Sequence, residues 1–286
     1  MEHGLARRLE QSKSEWQAQL ARDKVAWDEE SKIKAEALLG DLAATRNYTW
    51  EARKRLHAAV GPLQFQLLLA CRDFAARIHG HGMHPTYSTG LDTYYGQSTL
   101  YRLLRPLVIC ELVERQIAFA DFSVDKIGME IIRFSKAAMS VLSGSTLVGA
   151  HPNTNWKEQR EHAFYDSISR AIDALIVRED GKDRCIRFSE FALLSSDTSK
   201  RNELHPFPRI FEDFSVSRCP IFWLRLIAYG NLCADFVNRV GANDAMGFYE
   251  RQLDIEGLLN LSHDDAIKSD LRAYAQRCRD VTAYRL

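Results

Sequence analysis

Between residues 5 and 60 the chain contains no proline and a single glycine, Gly40. Those are the two residues that most disfavour a helix interior, and alanine, glutamate, lysine and arginine dominate what remains. The segment is therefore predicted to be one long helix. Its apolar positions are sparse. Leu9, Trp16, Leu20, Trp27, Leu38 and Leu42 follow one another at intervals of 7, 4, 7, 11 and 4, a spacing that fits an a/d-type coiled-coil seam. Asp23, Ser31 and Lys34 interrupt that seam. A helix this polar is marginal in water unless it packs on something. The six seam residues are thus the candidate partner-binding set. The expected occupant is a protein partner, a second copy in a homo-oligomer, or the chain's own body.

Gly61 and Pro62 punctuate the pattern and divide the chain into a 1–60 helix and a 62–286 helical body. Beyond them, apolar residues recur at helical spacing. Leu63, Leu67, Cys71, Phe74 and Ile78 form one stripe. Ile127, Ile131, Phe134, Ala138 and Val141 form a second, and Ile267, Leu271, Tyr274, Cys278 and Val281 a third. Further helices are expected over 100–120, capped by Ser98 or Thr99 and kinked at Pro106, and over 156–177 with Phe164, Ile168, Ile172 and Leu175 inward. Asp125 is the expected cap of the second stripe's helix. A broadly apolar helix is expected over 221–240 and another over 243–259, with a helix start at Ser262–Asp265. Residues 80–97 and 195–220 read as long loops, 179–182 as a turn, and 184–191 as either a short strand or a helix start. The predicted fold class is all-α: a long, coiled-coil-like N-terminal helix followed by a multi-helix globular bundle. No strand–turn–helix units suggest a parallel sheet.

Composition narrows the function classes. Lys plus Arg and Asp plus Glu both number 38, which excludes a globally basic nucleic-acid binder. The most apolar stretch, 219–236, is broken by Arg225 and Asp235, so no membrane span is expected. The first residues have no apolar core of a secretory signal. The six cysteines, Cys71, Cys110, Cys185, Cys219, Cys233 and Cys278, are never closer than 14 positions. That spacing gives no zinc-type pair and fits a reducing cytoplasm.

Four sets of residues carry possible chemistry. His79, His81 and His84 sit in a glycine-rich string that would let three imidazoles converge on a metal, with Asp92 the next acidic residue. Glu158, His162 and Asp166 step by four, which on a helix places carboxylates beside an imidazole for general acid–base work. Arg272, Arg277 and Arg279 crowd the last helix beside Tyr274 and Tyr284, a pairing that can hold phosphates and stack on bases. Arg53, Lys54 and Arg55 near Trp50, and Arg102 and Arg105 around Tyr101, repeat that pattern on a smaller scale.

The fourth set is two arginine–histidine strings, Arg72 to His79 and Arg201 to His205. They resemble the signature of HEPN-type RNases, an arginine and a histidine separated by four to six residues. The first string has six intervening residues; the second has three, one short of that range. The resemblance covers only these positions. It implies an all-α, dimeric fold and metal-independent cleavage, with histidine and arginine acting on the RNA 2′-hydroxyl and the scissile phosphate. No G-x-S-x-G elbow and no phosphate loop occur, and no cofactor is expected. The expectation is a cytoplasmic interaction or assembly protein rather than an enzyme, acting through its N-terminal helix. A helical enzyme with a histidine-centred site is the alternative, and local nucleic-acid binding a second one.

Overall fold

A computed structural model of the chain describes residues 2–117, 126–157, 161–241 and 252–281; the side chains of 2–9, 117 and 126 lie outside that description. The described residues form eleven α-helices, one 3₁₀ turn and a single two-stranded hairpin. The fold is all-α, with a long N-terminal helix followed by a multi-helix bundle. The chain divides into two units, Met1–Lys54 and Arg55–Leu286.

Helix α1 (Glu2–Met83) passes through Gly61 and Pro62 without a break, so the expected helix restart there does not occur. Pro62 has no N–H to offer the Ala58 carbonyl. Burial of Leu56 and Val60 before it, and of Leu67, Leu68 and Cys71 after it, holds the helix on both sides of the missing bond. The same continuity carries α1 to Met83, which shortens the first irregular stretch to residues 84–93.

The bundle contains α2 (Tyr94–Ile117), α3 (Lys126–Ser143), α4 (Tyr165–Asp173), α5 (Phe188–Ser196), α6 (Thr198–Arg201), α7 (Phe207–Asp213), α8 (Pro220–Gly241), α9 (Ile255–Asn260), α10 (Asp265–Ser269) and α11 (Leu271–Asp280). Helix α8 is its axis and packs on α3, α9 and α11. It is buried on nearly every side, as a broadly apolar helix should be. Phe74 of α1 meets Tyr229 at 4.7 Å between ring centroids, and Phe134 of α3 meets Phe236 at the same distance. Helix α2 packs on α3, α4 and α5.

Several boundaries differ from the sequence expectation. Helix α2 begins at Tyr94, so Ser98 and Thr99 are buried within it rather than capping it. The Ser98 hydroxyl oxygen accepts a hydrogen bond from Arg77 at 3.0 Å, and the Thr99 hydroxyl donates to the Tyr95 carbonyl. Among the described residues, the helix expected over 156–177 is confined to α4. Its downstream end is instead strand β1 (Ile176–Glu179), paired antiparallel with β2 (Lys182–Cys185). Asp180 and Gly181 both have positive φ, 51° and 77°, the backbone a tight two-residue hairpin demands. Residues 184–191 therefore serve both readings: β2 ends at Cys185 and α5 begins at Phe188.

The second expected loop holds α6, the 3₁₀ turn Asn202–Leu204 and α7. Asp197 organises its start by accepting from the Ser199 and Lys200 amides. Asp264, not Ser262, caps α10, accepting from the Ile267 amide at 2.9 Å. Asp125 lies outside the described residues, as does most of the expected 243–259 helix, whose described end is α9. No described helix is long and apolar enough to cross a membrane.

Candidate functional site

Two features of the molecule invite a ligand or a partner, and they lie in different units. The first is the seam of the N-terminal helix. Trp16, Leu20, Trp27, Leu38 and Leu42 are between 53% and 68% exposed. The Leu9 side chain falls outside the described residues. Trp16, Trp27 and Leu38 recur every eleven residues, and Leu20 and Leu42 stand two such steps apart. Eleven residues are close to three helical turns, so these side chains share one face over about 39 Å from Trp16 to Leu42. Val25, Ile33 and Leu39, which the seam does not include, are exposed as well. Ion pairs within the helix, such as Lys34 to Glu30 at 2.6 Å, support its polar faces.

The histidine and arginine sets fare differently from one another. His79 and His84 are exposed, whereas His81 is buried. Two positions apart on one helix, His79 and His81 face opposite ways, so the three rings do not converge. His84 stacks instead on Tyr87. Among the described residues, no three His, Cys, Asp or Glu side chains are grouped to hold a metal ion.

Arg72 and His79 share one face of α1, about 10 Å apart along the axis. The Arg201 Nε donates to the Ser195 carbonyl at 2.7 Å, anchoring the end of α5. His205 is exposed and precedes the cis bond to Pro206. At the C-terminal end, Arg277 lies over the Tyr274 ring and Arg279 pairs with Glu256 at 3.1 Å. Arg272 is exposed, so the three arginines have three separate environments. Tyr284 is outside the described residues, and so is Glu158.

The second feature is a cavity of about 260 Å³ lined by Asn153, Thr154, Asn155, Glu161, His162, Ile221 and Arg225. Arg225 is wholly buried in the middle of apolar α8. Its guanidinium donates to the Val141 carbonyl and, at 3.0 Å, to the Gly144 carbonyl. These are carbonyls at the end of α3, where the helix itself supplies no donors. The Arg225 Nε has no partner. Burial pushes its pKa down to about 10, against the opposing pull of Glu161, and the group remains charged at neutral pH.

Glu161 lines the same cavity. One of its carboxylate oxygens accepts from the Ile221 amide at 2.8 Å and the Phe222 amide at 3.2 Å. It thereby satisfies the first turn of α8, where Pro220 has no N–H to satisfy. His162 stands between Trp156 and Phe164, each at 5.1 Å between ring centroids. Burial, and then the charge of Arg225, lower its pKa. The Trp156 backbone opposes that shift, and Nε2 is buried without a partner.

The rim of the cavity is fixed by local bonds. The Thr154 hydroxyl donates to the Val148 carbonyl, and the Asn155 side-chain oxygen accepts from the Lys157 amide. The Asn153 amide donates to His151 Nδ1, and His151 Nε2 meets Asp264 at 3.0 Å. A fixed cation, a fixed anion and a neutral imidazole thus line one cavity.

No protein-family model, curated protein or solved structure matches this chain. Of the cavity residues, sequence reasoning singled out His162, but on a helix face shared with Asp166. In the structure His162 precedes α4 and its companions are Glu161 and Arg225. The available signal was Arg225 itself, a charge in the middle of an otherwise apolar helix.

Proposed function

We propose that this protein is a cytoplasmic assembly protein that associates with a second copy of itself through the seam of its N-terminal helix. The observation that carries this reading is the row of large apolar side chains from Trp16 to Leu42, exposed along one helix face. Burying each contributes about 1.5–3 kcal/mol. Five of them together match the roughly 4–15 kcal/mol that association costs in lost freedom. A second copy is the favoured occupant because each carries the same stripe, and a two-fold pair is self-complementary. The eleven-residue step favours helices that pair nearly straight or with a slight right-handed supercoil, in place of a left-handed heptad coil. The compartment is supported by six cysteines with no disulfide, five of them buried.

Light scattering of the full chain tests the reading. The expected mass is that of a dimer or higher oligomer at micromolar concentration. Trp16→Glu, Trp27→Glu and Leu38→Glu combined are expected to yield a monomer with an unchanged bundle. A wild-type chain that stays monomeric at all concentrations refutes the reading.

A further inference from the structure

We infer that the two copies pair antiparallel about a two-fold axis level with Glu29, each copy's Trp27 packing against the partner's Ser31 and each copy's Asp23 pairing with the partner's Lys34. The inference rests on the association reading above and goes further by fixing direction and register.

The stripe is symmetric in its spacing but not in the size of its side chains. Trp16, Leu20, Trp27, Ser31, Leu38 and Leu42 follow one another at intervals of 4, 7, 4, 7 and 4. Trp16 and Leu42 stand 13 residues either side of Glu29, Leu20 and Leu38 nine, and Trp27 and Ser31 two. Reversing one copy about that centre sets every stripe residue level with a stripe residue of the other. Trp16 then meets the partner's Leu42, Leu20 the partner's Leu38, and Trp27 the partner's Ser31. The one small residue of the stripe faces the largest, so the serine that interrupts the seam leaves the space an indole fills. Close packing rewards such alternation of large and small. A parallel pair sets each residue level with its own copy. It would crowd Trp27 against the partner's Trp27 and leave Ser31 facing the partner's Ser31, a gap in the middle of the seam.

Charge points the same way. Asp23 and Lys34 are both exposed and stand eleven residues apart, so they lie on one flank of the stripe. The two-fold axis of an antiparallel pair brings like flanks together, whereas in a parallel pair opposite flanks meet. Asp23 is six residues to one side of Glu29 and Lys34 five to the other. Asp23 and the partner's Lys34 therefore differ by about 1.5 Å in height on a shared flank, and the symmetry forms that pair twice. Lys34 already pairs with Glu30 of its own helix at 2.6 Å, and the partner's Asp23 reaches it from across the seam. Complementary charges of this kind at the edge of an apolar contact fix register.

Crosslinking of the full chain tests the inference. Leu20→Cys and Leu38→Cys are made separately and treated with a short bismaleimide, each alone and as an equilibrated mixture, and the linked peptides are read by mass spectrometry. The mixture is expected to link position 20 of one chain to position 38 of the other. Neither variant alone is expected to link its introduced thiol to the same position of the partner, about 27 Å away. Such a self-link, or no mixed link in a sample that light scattering shows to be dimeric, overturns the inference. A wild-type chain that is monomeric fails the association reading itself, so the two failures are told apart. Asp23→Lys, which leaves the apolar stripe intact, decides the matter if the cysteine variants do not associate. It is expected to weaken the dimer about tenfold, and adding Lys34→Asp to recover most of that loss. Unchanged association in the single variant, or no recovery in the double, overturns the inference as well.

Discussion

Trp27 and Trp223 are the same side chain with opposite fates. Trp27, in the first unit, is 68% exposed; Trp223, in the second, is completely buried and donates its indole N–H to the Leu258 carbonyl at 2.8 Å. The contrast extends to the units themselves. The bundle buries Phe74, Phe134, Phe191, Phe222 and Phe236 within one contiguous core. The rod, by contrast, presents its large apolar residues to solvent. On the proposed reading, the rod's stripe stays outside because a second copy covers it. The bundle's stability is internal, whereas on the proposed reading the rod's apolar stripe gains its burial from association.

The sharpest way to break this comparison is in the core. Phe74→Ala removes a fully buried ring packed on Tyr229. It is expected to lower the bundle's unfolding free energy by about 3–5 kcal/mol in denaturant titration. Trp27→Ala, although it removes a larger side chain, is expected to leave the bundle's unfolding midpoint unchanged. A comparable loss from both would erase the distinction between the two units.

The next largest effect is in pH. Burial, and then the nearby charge of Arg77, lower the His81 pKa from 6.5 to about 4. Between these values the unfolded chain binds a proton that the folded chain does not, so stability is fully present above about pH 6.5. It falls as the pH drops through that window and levels off below about pH 4, a total loss of about 3 kcal/mol. Unfolding titrations at pH 7, 5.5 and 4 read this directly, and His81→Gln is expected to flatten the slope. The rod holds no buried histidine among its described side chains, so the pH response belongs to the bundle.

A smaller effect is expected at Gly96, where a Cβ would stand 2.1 Å from the Gly90 carbonyl oxygen and 2.2 Å from that of Thr89. Gly96→Ala is expected to destabilise the bundle by about 1–3 kcal/mol, because backbone must move to admit the methyl group. Smallest is Lys34→Ala. It breaks the exposed rod pair with Glu30 and is expected to leave the bundle's midpoint where it was.

What the sequence made legible follows from the range of the forces involved. The long helix and the α8 span are written in local propensity and spacing, and both appear; the Ile267–Val281 stripe is split at Asp270 between α10 and α11. The break expected at Gly61–Pro62 was misread because tertiary burial at Leu56 and Val60 overrides a local signal. The β1–β2 hairpin was missed for a related reason. Asp180–Gly181 marked the turn, but the strands on either side are only four residues each and carry little alternation. The cavity was the least legible part. Glu161 and Arg225 are 64 positions apart in the sequence and line one cavity because Glu161 caps the helix that carries Arg225. No spacing rule reports a juxtaposition of that kind.

The central claim is that the exposed stripe of the rod is covered in solution by another copy. Hydroxyl-radical footprinting of the full chain across a concentration series measures this at the residues concerned, with Trp223 as an internal buried reference. The account predicts that Trp16 and Trp27 are protected at high concentration and become reactive on dilution, while Trp223 is protected throughout. Trp16 and Trp27 reacting as fully exposed side chains at every concentration would contradict it.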